Sequence, residues 1–307
     1  PEQFGRALAS VLAVDYPDFE VIVIDNAPSS EATHELVREV DDPRVHYFLE
    51  PVAGLSRARN RGLAESNGEL IAFTDDDVQV DAGWLHGLVE GFNASERVGA
   101  VTGIVVSTAL ENEYQQYFED QVHWSDSFQR RIFDLKDNRA ENAMFPFATG
   151  VIGTGANFAI RAGTTRQVGE FDEALGAGMP TRGGEDLDYF LRVLKTKGWK
   201  IAYEPRALVW HSHRADADSL RSQLFGYGSG ATAYGFKAAI NPKYTLEITA
   251  RLIAALIARL SGDESFSLNT GAGASRRIQR QGLLVGPWLY VKCRFQVERR
   301  GRVRRTR

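Results

Sequence analysis

The sequence predicts an α/β protein, a doubly wound and mostly parallel sheet flanked by helices, with a helical C-terminal extension. Three observations predict it. Over residues 1–106, short β-branched runs alternate with amphipathic helical patterns at βα spacing. Two of those runs end abruptly in acids, Val21-Ile22-Val23-Ile24-Asp25 and Leu70-Ile71-Ala72-Phe73-Thr74-Asp75-Asp76-Asp77. Buried parallel strands read as such continuous apolar runs, and ligands collect at their carboxyl ends. After Asp216 the strand patterns give way to helical ones. These shifts divide the chain at 1–106, 107–215 and 216–307, with no internal repeat.

Phe4, Leu8, Val11 and Leu12 recur at helical spacing, so residues 2–14 read as an amphipathic helix that Asp15-Tyr16-Pro17-Asp18 ends. The chain thus opens directly in a helical pattern, and an upstream strand is expected to be missing. Residues 20–25 form a strand, and Ser30 is placed to cap a helix through Leu36, Val37 and Val40. Residues 45–48 are the next strand, 54–66 the next helix, and 69–74 the strand before the acids. Asp81 is the expected cap of a helix through Trp84, Leu85, Leu88 and Val89, and 99–106 return as a strand. From 107 to 147 the rhythm fails, and this aromatic and polar stretch reads as loop and helix over the sheet. A strand at 155–160 follows. A glycine-rich loop at 176–184 then leads into a helix from Glu185 to Lys197, which Gly198 stops. Residues 199–203 and 207–210 read as two further strands. Leu252, Ile253, Leu256, Ile257 and Leu260 make the stripe of a core-packing helix; with Arg251 and Arg259 beside it, a membrane-surface helix is its second reading. The basic tail 299–307 is expected to be disordered.

At 307 residues and 43% hydrophobic, the chain can bury one large core or two smaller ones. Charged residues are 25% and the net charge is -4, which argues against general nucleic-acid binding, where a basic domain is the usual footprint. A lone cysteine, Cys293, excludes an intrachain disulfide framework and fits a reducing, cytoplasmic compartment. No secretory signal pattern is visible. No apolar run approaches the ~20 residues that a bilayer span needs.

The strongest chemical signal is Asp75-Asp76-Asp77. Adjacent carboxylates repel one another, and a divalent cation offsets that repulsion, since hard cations take oxygen ligands and often keep substrate phosphates in their shell. A helix cap explains one Asp, not three. Asp25, at another strand end, is placed to accept hydrogen bonds from a base or ribose, with a turn-forming role as the alternative. Arg57, Arg59 and Asn60 lie on a helix opened by Gly54, where guanidinium forks suit a phosphate or a nucleobase edge; a solvated basic face is the alternative. Gly183-Gly184-Glu185-Asp186 puts acids at a helix start, Glu185 as a cap and Asp186 toward the crevice, where a carboxylate can act as general base on a hydroxyl. His211 and His213 alternate on a strand-like segment and are expected on opposite sides, so that one, His211, can complete a metal's shell.

In this order the residues resemble the family 2 glycosyltransferases, inverting enzymes of the GT-A fold. The resemblance covers most of residues 1–235. It rests on Val23-Ile24-Asp25-Asn26, on Gly54 with Ala58-Arg59-Asn60-Arg61-Gly62-Leu63, and on Phe73-Thr74-Asp75-Asp76-Asp77 as the metal-binding Asp-x-Asp. It continues through Gly155-Ala156-Asn157-Phe158-Ala159-Ile160-Arg161, Phe171-Asp172-Glu173 and Gly184-Glu185-Asp186-Leu187-Asp188. Together with the reading above it gives a donor-contact set of Asp25, Arg57, Arg59, Asn60, Asp75, Asp76, Gly155, Ala156, Asn157 and Glu185. It implies Mg²⁺ or Mn²⁺ on Asp75 and Asp77 and Asp186 as catalytic base; His211 is a further candidate ligand on the reading of the histidines above.

The resemblance also implies a nucleotide-sugar donor, a UDP-sugar by family frequency, and a carbohydrate or lipid-linked acceptor in cell-surface polysaccharide or glycoconjugate synthesis. Residues 1–106 become the donor half and 107–215 the acceptor and catalytic half. Tyr114, Tyr117, Phe118, His123 and Trp124 are candidates for an acceptor lid, against ordinary core packing. The Gln-x-x-Arg-Trp motif of the processive synthases is absent, so addition of one sugar is expected. The expected location is cytoplasmic, with peripheral contact at the inner membrane face. Two rival readings are a sugar-nucleotide pyrophosphorylase and a catalytically degenerate scaffold of a polysaccharide assembly.

Overall fold

The computed structural model describes residues 2–122, 124–125, 127–260 and 274–305. The expected alternation opens it: α1 (Glu2–Leu12), β1 (Val21–Asn26), α2 (Ala32–Val40), β2 (Val45–Glu50), α3 (Leu55–Glu65) and β3 (Leu70–Thr74). Then come β4 (Val78–Val80), α4 (Trp84–Asn93), β5 (Val98–Ser107), α5 (Glu113–Val122) and β6 (Arg131–Phe133). After a 3₁₀ turn at Thr149–Val151 follow β7 (Asn157–Arg161), α6 (Ala162–Val168), α7 (Glu185–Lys195) and β8 (Lys200–His211). The C-terminal part is α8 (Ala217–Ile240), α9 (Thr245–Leu260) and α10 (Ala274–Arg305).

β1 and β2 pair in parallel as a two-stranded sheet. The larger sheet has the order β3-β7-β5-β8-β4, with β6 also on β8. Its pairing is mixed: β5 and β8 run parallel, while β3–β7, β5–β7, β4–β8 and β6–β8 are antiparallel. Parallel pairing needs a crossover connection. That rhythm is legible through β3, whereas the later strands are joined by a three-residue turn or a long excursion.

Several local expectations are corrected. Ser30 does not cap α2, which begins at Ala32 behind Glu31 without a side-chain cap. Asp81 instead closes the turn before α4, its Oδ1 accepting the Gly83 N–H at 2.8 Å. The stretch 107–147 contains, besides α5, strand β6, too short for its alternation to register. The segments 199–203 and 207–210 are one strand, β8, whose register against β5 shifts between Gly103 and Ile104. The helical backbone continues through Arg305, so the basic tail up to that residue is helix rather than disorder. Asp216, which the sequence pattern does not single out as a cap, caps α8, its Oδ1 accepting the N–H groups of Asp218 (3.1 Å) and Ser219 (2.9 Å).

Two apolar layers sandwich the large sheet. Phe158, Ile160, Ile104, Phe171 and α7 residues Tyr189 and Phe190 fill one, and Trp84, Leu88, Phe92, Val101 and Val209 the other. A third cluster joins Leu175, Leu191, Tyr234, Tyr290 and Cys293, so α8 and α10 pack onto α7. Ile248 of α9 enters that cluster, while Leu252 and Ile253 stay exposed; the side chains of Leu256, Ile257 and Leu260 lie outside the described ones.

Candidate functional site

The acidic run is the turn between β3 and β4, and it carries the chain from one end of the strand order to the other. Val78 N–H bonds back to the Asp75 carbonyl at 3.3 Å, and β4 then pairs Val78 with His211. This three-residue strand, which the sequence did not disclose, sets Asp77 beside the end of β8. Asp76 points to solvent, Asp75 is half-buried, and the Asp77 side chain is only 10% exposed.

One guanidinium ties this turn to α7. Arg59 is buried on α3; its Nη1 donates to Glu185 Oε1 (2.9 Å), and its Nη2 donates to the Gly155 carbonyl (3.0 Å) and stands 3.7 Å from Asp75 Oδ1. Phe158 and Phe171 flank it at 5.3 and 5.6 Å, a stacking environment that suits arginine rather than lysine. Gly184, at φ 90°, makes the left-handed turn that starts α7. Asp186 then sits in the first turn: Oδ2 accepts the Gly155 N–H and Oδ1 the Leu187 N–H, both at 2.8 Å. Gly155 thereby links Arg59 to Asp186; the one guanidinium is shared by Asp75 and Glu185, and Asp186 lies beside Glu185.

That cation is not enough for them. Desolvation, with Asp77, Glu185 and Asp76 adding to it against Arg59, pushes the Asp75 carboxyl up to about 7. Burial and then Asp186 raise Glu185, whose Oε2 is buried without a hydrogen-bond partner. Burial raises Asp77 too, opposed by Arg214, whose Nη2 lies 3.3 Å from Oδ2.

The two histidines are not on opposite sides. β8 ends at His211, and the chain turns back so that the two Nδ1 atoms approach to 3.0 Å. His213 Nε2 reaches Glu119 Oε2 of α5 at 2.7 Å, and His211 Nε2 faces Asp77 Oδ1 at 3.7 Å. A chain thus runs from Glu119 through both rings to Asp77. Burial, and then the neighbouring His213 and Arg214, lower His211 to about 4, leaving its ring neutral. Phe118 and Trp124, from the aromatic stretch, pack edge-on against His213, and Tyr227 of α8 joins them; His123 lies outside the described residues. Desolvation raises the Tyr227 hydroxyl, opposed by its hydrogen bond with Gln223 and reinforced by the charges of Asp186, Asp75 and Asp77. Glu119, Arg214 and Tyr227 carry no motif, and sequence reasoning missed their place here.

Other expected donor contacts have internal partners. Arg57 is buried in an ion pair with Glu173. Asn60 clamps the Phe171 backbone, Nδ2 donating to its carbonyl (2.9 Å) and Oδ1 accepting its N–H (2.8 Å). Asn157 lies inside the sheet at the β8 irregularity: Nδ2 donates to Ile104 and Ala207 carbonyls at 2.9 and 2.7 Å, and Oδ1 accepts from Trp84 Nε1 at 2.9 Å. Ala156 is core. Asp25 stands at the end of β1 in the smaller sheet, where Tyr47 OH donates to Oδ2 at 2.8 Å and His34 stacks on Tyr47 at 4.5 Å. Desolvation and that bond push the Tyr47 hydroxyl up to about 12.

Among the described residues, no three His, Cys, Asp or Glu side chains form a complete metal cage. Asp75 and Asp77 nonetheless fit a hard cation that keeps phosphate oxygens in its shell. Their donors are carboxylate oxygens, and beside them Glu185 Oε2 is buried without a hydrogen-bond partner.

The family model of Glycosyl transferase family 2 matches residues 1–161. The chain is 32% identical over 179 residues to the pre-mycofactocin glycosyltransferase of Mycobacterium tuberculosis, covering 58% of this chain and 34% of that protein. It is 24% identical over 233 residues to the glucosyl-dolichyl phosphate glucuronosyltransferase of Haloferax volcanii, covering 74% of this chain and 71% of the relative. The chain thus spans about a third of the mycobacterial relative's length. Among solved structures, the mannosyltransferase of Pyrobaculum calidifontis, in complex with GDP-Man and Mn²⁺, superposes with a TM-score of 0.52 at 14% identity, over 96% of this chain and 83% of that one. That likeness establishes the GT-A fold alone. With the family match spanning more than half of its residues, the chain belongs to glycosyl transferase family 2.

Proposed function

We propose that the protein is an inverting glycosyltransferase that moves one sugar from a nucleoside diphosphate sugar to an acceptor hydroxyl in glycan synthesis. The observation that carries this is Arg59 shared by Asp75 and Glu185, with Asp186 joined to the same place through the backbone of Gly155. Asp186, held by two backbone N–H groups, is the base. It takes the proton of the acceptor hydroxyl as that oxygen bonds to the anomeric carbon and the bond from that carbon to the diphosphate breaks. One displacement inverts the anomeric centre. Glu185 and Arg59 orient the start of α7, and Asp25 with Tyr47 forms an acid-and-ring edge suited to a base or ribose. A divalent cation, Mg²⁺ or Mn²⁺, held by Asp75 and Asp77 with His211 as a further ligand, would neutralise charge on the leaving diphosphate; the Mn²⁺ of the Pyrobaculum neighbour supports its use.

The acceptor is a carbohydrate carried on a lipid, a reading supported by the dolichyl phosphate in the archaeal relative's name. Membership of the family favours transfer over pyrophosphorolysis, and the assembled acids favour an enzyme over a scaffold. The test is incubation with Mn²⁺ and a panel of UDP- and GDP-sugars, following release of the nucleoside diphosphate. Release from one donor, lost in Asp186→Asn, is the expected result. No release from any donor, with the panel shown to be intact, would return the scaffold reading.

A further inference from the structure

α10 has two faces of interest, and only one has a partner. On the inner face a Cβ added at Gly282 would stand 2.4 Å from the Phe225 carbonyl oxygen, and one at Gly286 would stand 2.1 Å from Thr232 Oγ1, so α8 approaches as closely as glycine allows. Tyr290 and Cys293, also on this face, are buried. On the outer face Leu284, Trp288, Val291 and Phe295 follow at spacings of four, three and four, one stripe of a helix. They are 81%, 63%, 38% and 62% exposed. Scattered exposed apolar residues are ordinary; a contiguous row with two large aromatic rings marks an interaction surface.

Charge identifies what the surface fits. α10 contains ten Lys and Arg residues and one acid, Glu298, within a chain of net charge -4. Lys292 Nζ lies 5.2 Å over the Trp288 ring, a long cationic side chain set against the apolar stripe. Arg299 and Arg300 are exposed just beyond Phe295. Apolar and aromatic side chains between basic ones are the pattern of a helix lying in the plane of a bilayer interface, drawn to anionic headgroups. No helix of the described residues is long and apolar enough to cross a membrane.

We infer that the outer face of α10 docks the protein on an anionic lipid bilayer. α8, to which α10 is clamped, also holds the loop before α7, Ser229 Oγ donating to the Thr181 carbonyl at 3.0 Å. The helix pair therefore connects the bilayer to the loop that leads to Asp186, and a sugar acceptor anchored in the same bilayer has a defined side from which to enter. That last step rests on the transferase reading; the docking does not.

The experiment floats the full chain with vesicles of phosphatidylcholine alone and of phosphatidylcholine with phosphatidylglycerol, without donor or metal. Binding to the anionic vesicles is expected, weakening as salt screens the charges. The Trp288→Ser/Phe295→Ser variant should partition about tenfold less, with an unchanged circular dichroism spectrum. Lys292→Glu/Arg299→Glu, which leaves the stripe intact, should lose the preference for anionic vesicles and guards against misfolding of the first variant. Wild-type protein that stays off both vesicles overturns the inference. So does a wild-type dimer that binds no vesicle and that Trp288→Ser/Phe295→Ser makes monomeric, since a second copy would then cover the face. No transfer is measured, so failure of the transferase reading would leave this result untouched.

Discussion

Asp186 and Asp188 stand two residues apart on α7, and each belongs to a cluster of acids with opposite electrostatics. Around Asp188 every charge is met. Lys237 Nζ bridges Asp188 Oδ1 and Asp172 Oδ2 at 2.8 Å each, Arg192 Nε donates to Asp188 Oδ2 at 2.8 Å, and Tyr290 OH donates to Asp172 Oδ2 at 3.1 Å. Burial works to raise Asp172, but the Lys237 ammonium outweighs it and holds the carboxyl below the usual range. Around Asp186 the balance fails: Arg59 is shared by Asp75 and Glu185, Asp186 adds its charge beside Glu185, and burial with the neighbouring acids pushes Asp75 up to about 7. Acids supplied with their own cations hold α7 to α8 and α10. Acids left short of cations mark the place where ligand charge belongs.

The largest test of this contrast is catalytic. Asp186→Asn should lower the transfer rate by about 10²–10⁴-fold while nucleoside diphosphate binding persists in calorimetry, because only the proton acceptor is lost. Equal loss of binding would make Asp186 a helix cap. Asp77→Ala should remove the Mn²⁺-dependent part of that binding, and unchanged binding would remove the metal assignment.

The paired cluster should respond in stability instead. Lys237→Met removes the ammonium shared by two buried carboxylates, and breaking a buried pair from one side costs about 3–5 kcal/mol. A urea midpoint equal to the wild type would break the comparison. Asn157→Leu leaves the Trp84 N–H and two sheet carbonyls without their partner, at about 1–3 kcal/mol for a buried group so orphaned. Nucleotide affinity of the folded fraction should stay unchanged; a selective loss of affinity would restore Asn157 to the donor site.

Asp75→Asn should instead be neutral or gain up to about 1 kcal/mol, as relief at a functional site often does. The two clusters also differ in pH dependence. The contribution of Asp172 is present above the ordinary carboxylate value of 3.8 and is lost as pH falls through its lowered folded value. Asp75 runs the other way: its raised folded value of about 7 favours the folded state below 3.8, and that advantage is lost as pH rises to about 7. Unfolding followed between those two values should therefore show a decline that Asp75→Asn flattens, and parallel profiles would remove Asp75 as its source.

Local pattern carried much of this architecture. β1, β3, β5, β7 and the helices α1, α3 and α7 follow from apolar runs and helical spacing, because each element's signal lies within its own residues. β4 and β6, three residues each, hold no period of their own and exist through their pairing with β8. The arginines of α3 show the same limit. Arg57 and Arg59 read as ligand-facing, yet their partners Glu173 and Glu185 lie more than a hundred residues along the chain, where spacing carries no information.

The sequence by itself determined the α/β class, the family, and the acids at strand and helix ends, since these depend on neighbours within a few positions. The tertiary structure decided which charges are neutralised, how His211 and His213 come to face one another, and which side of α10 is left uncovered. Burial and pairing depend on distance in space, and only the folded chain sets that distance.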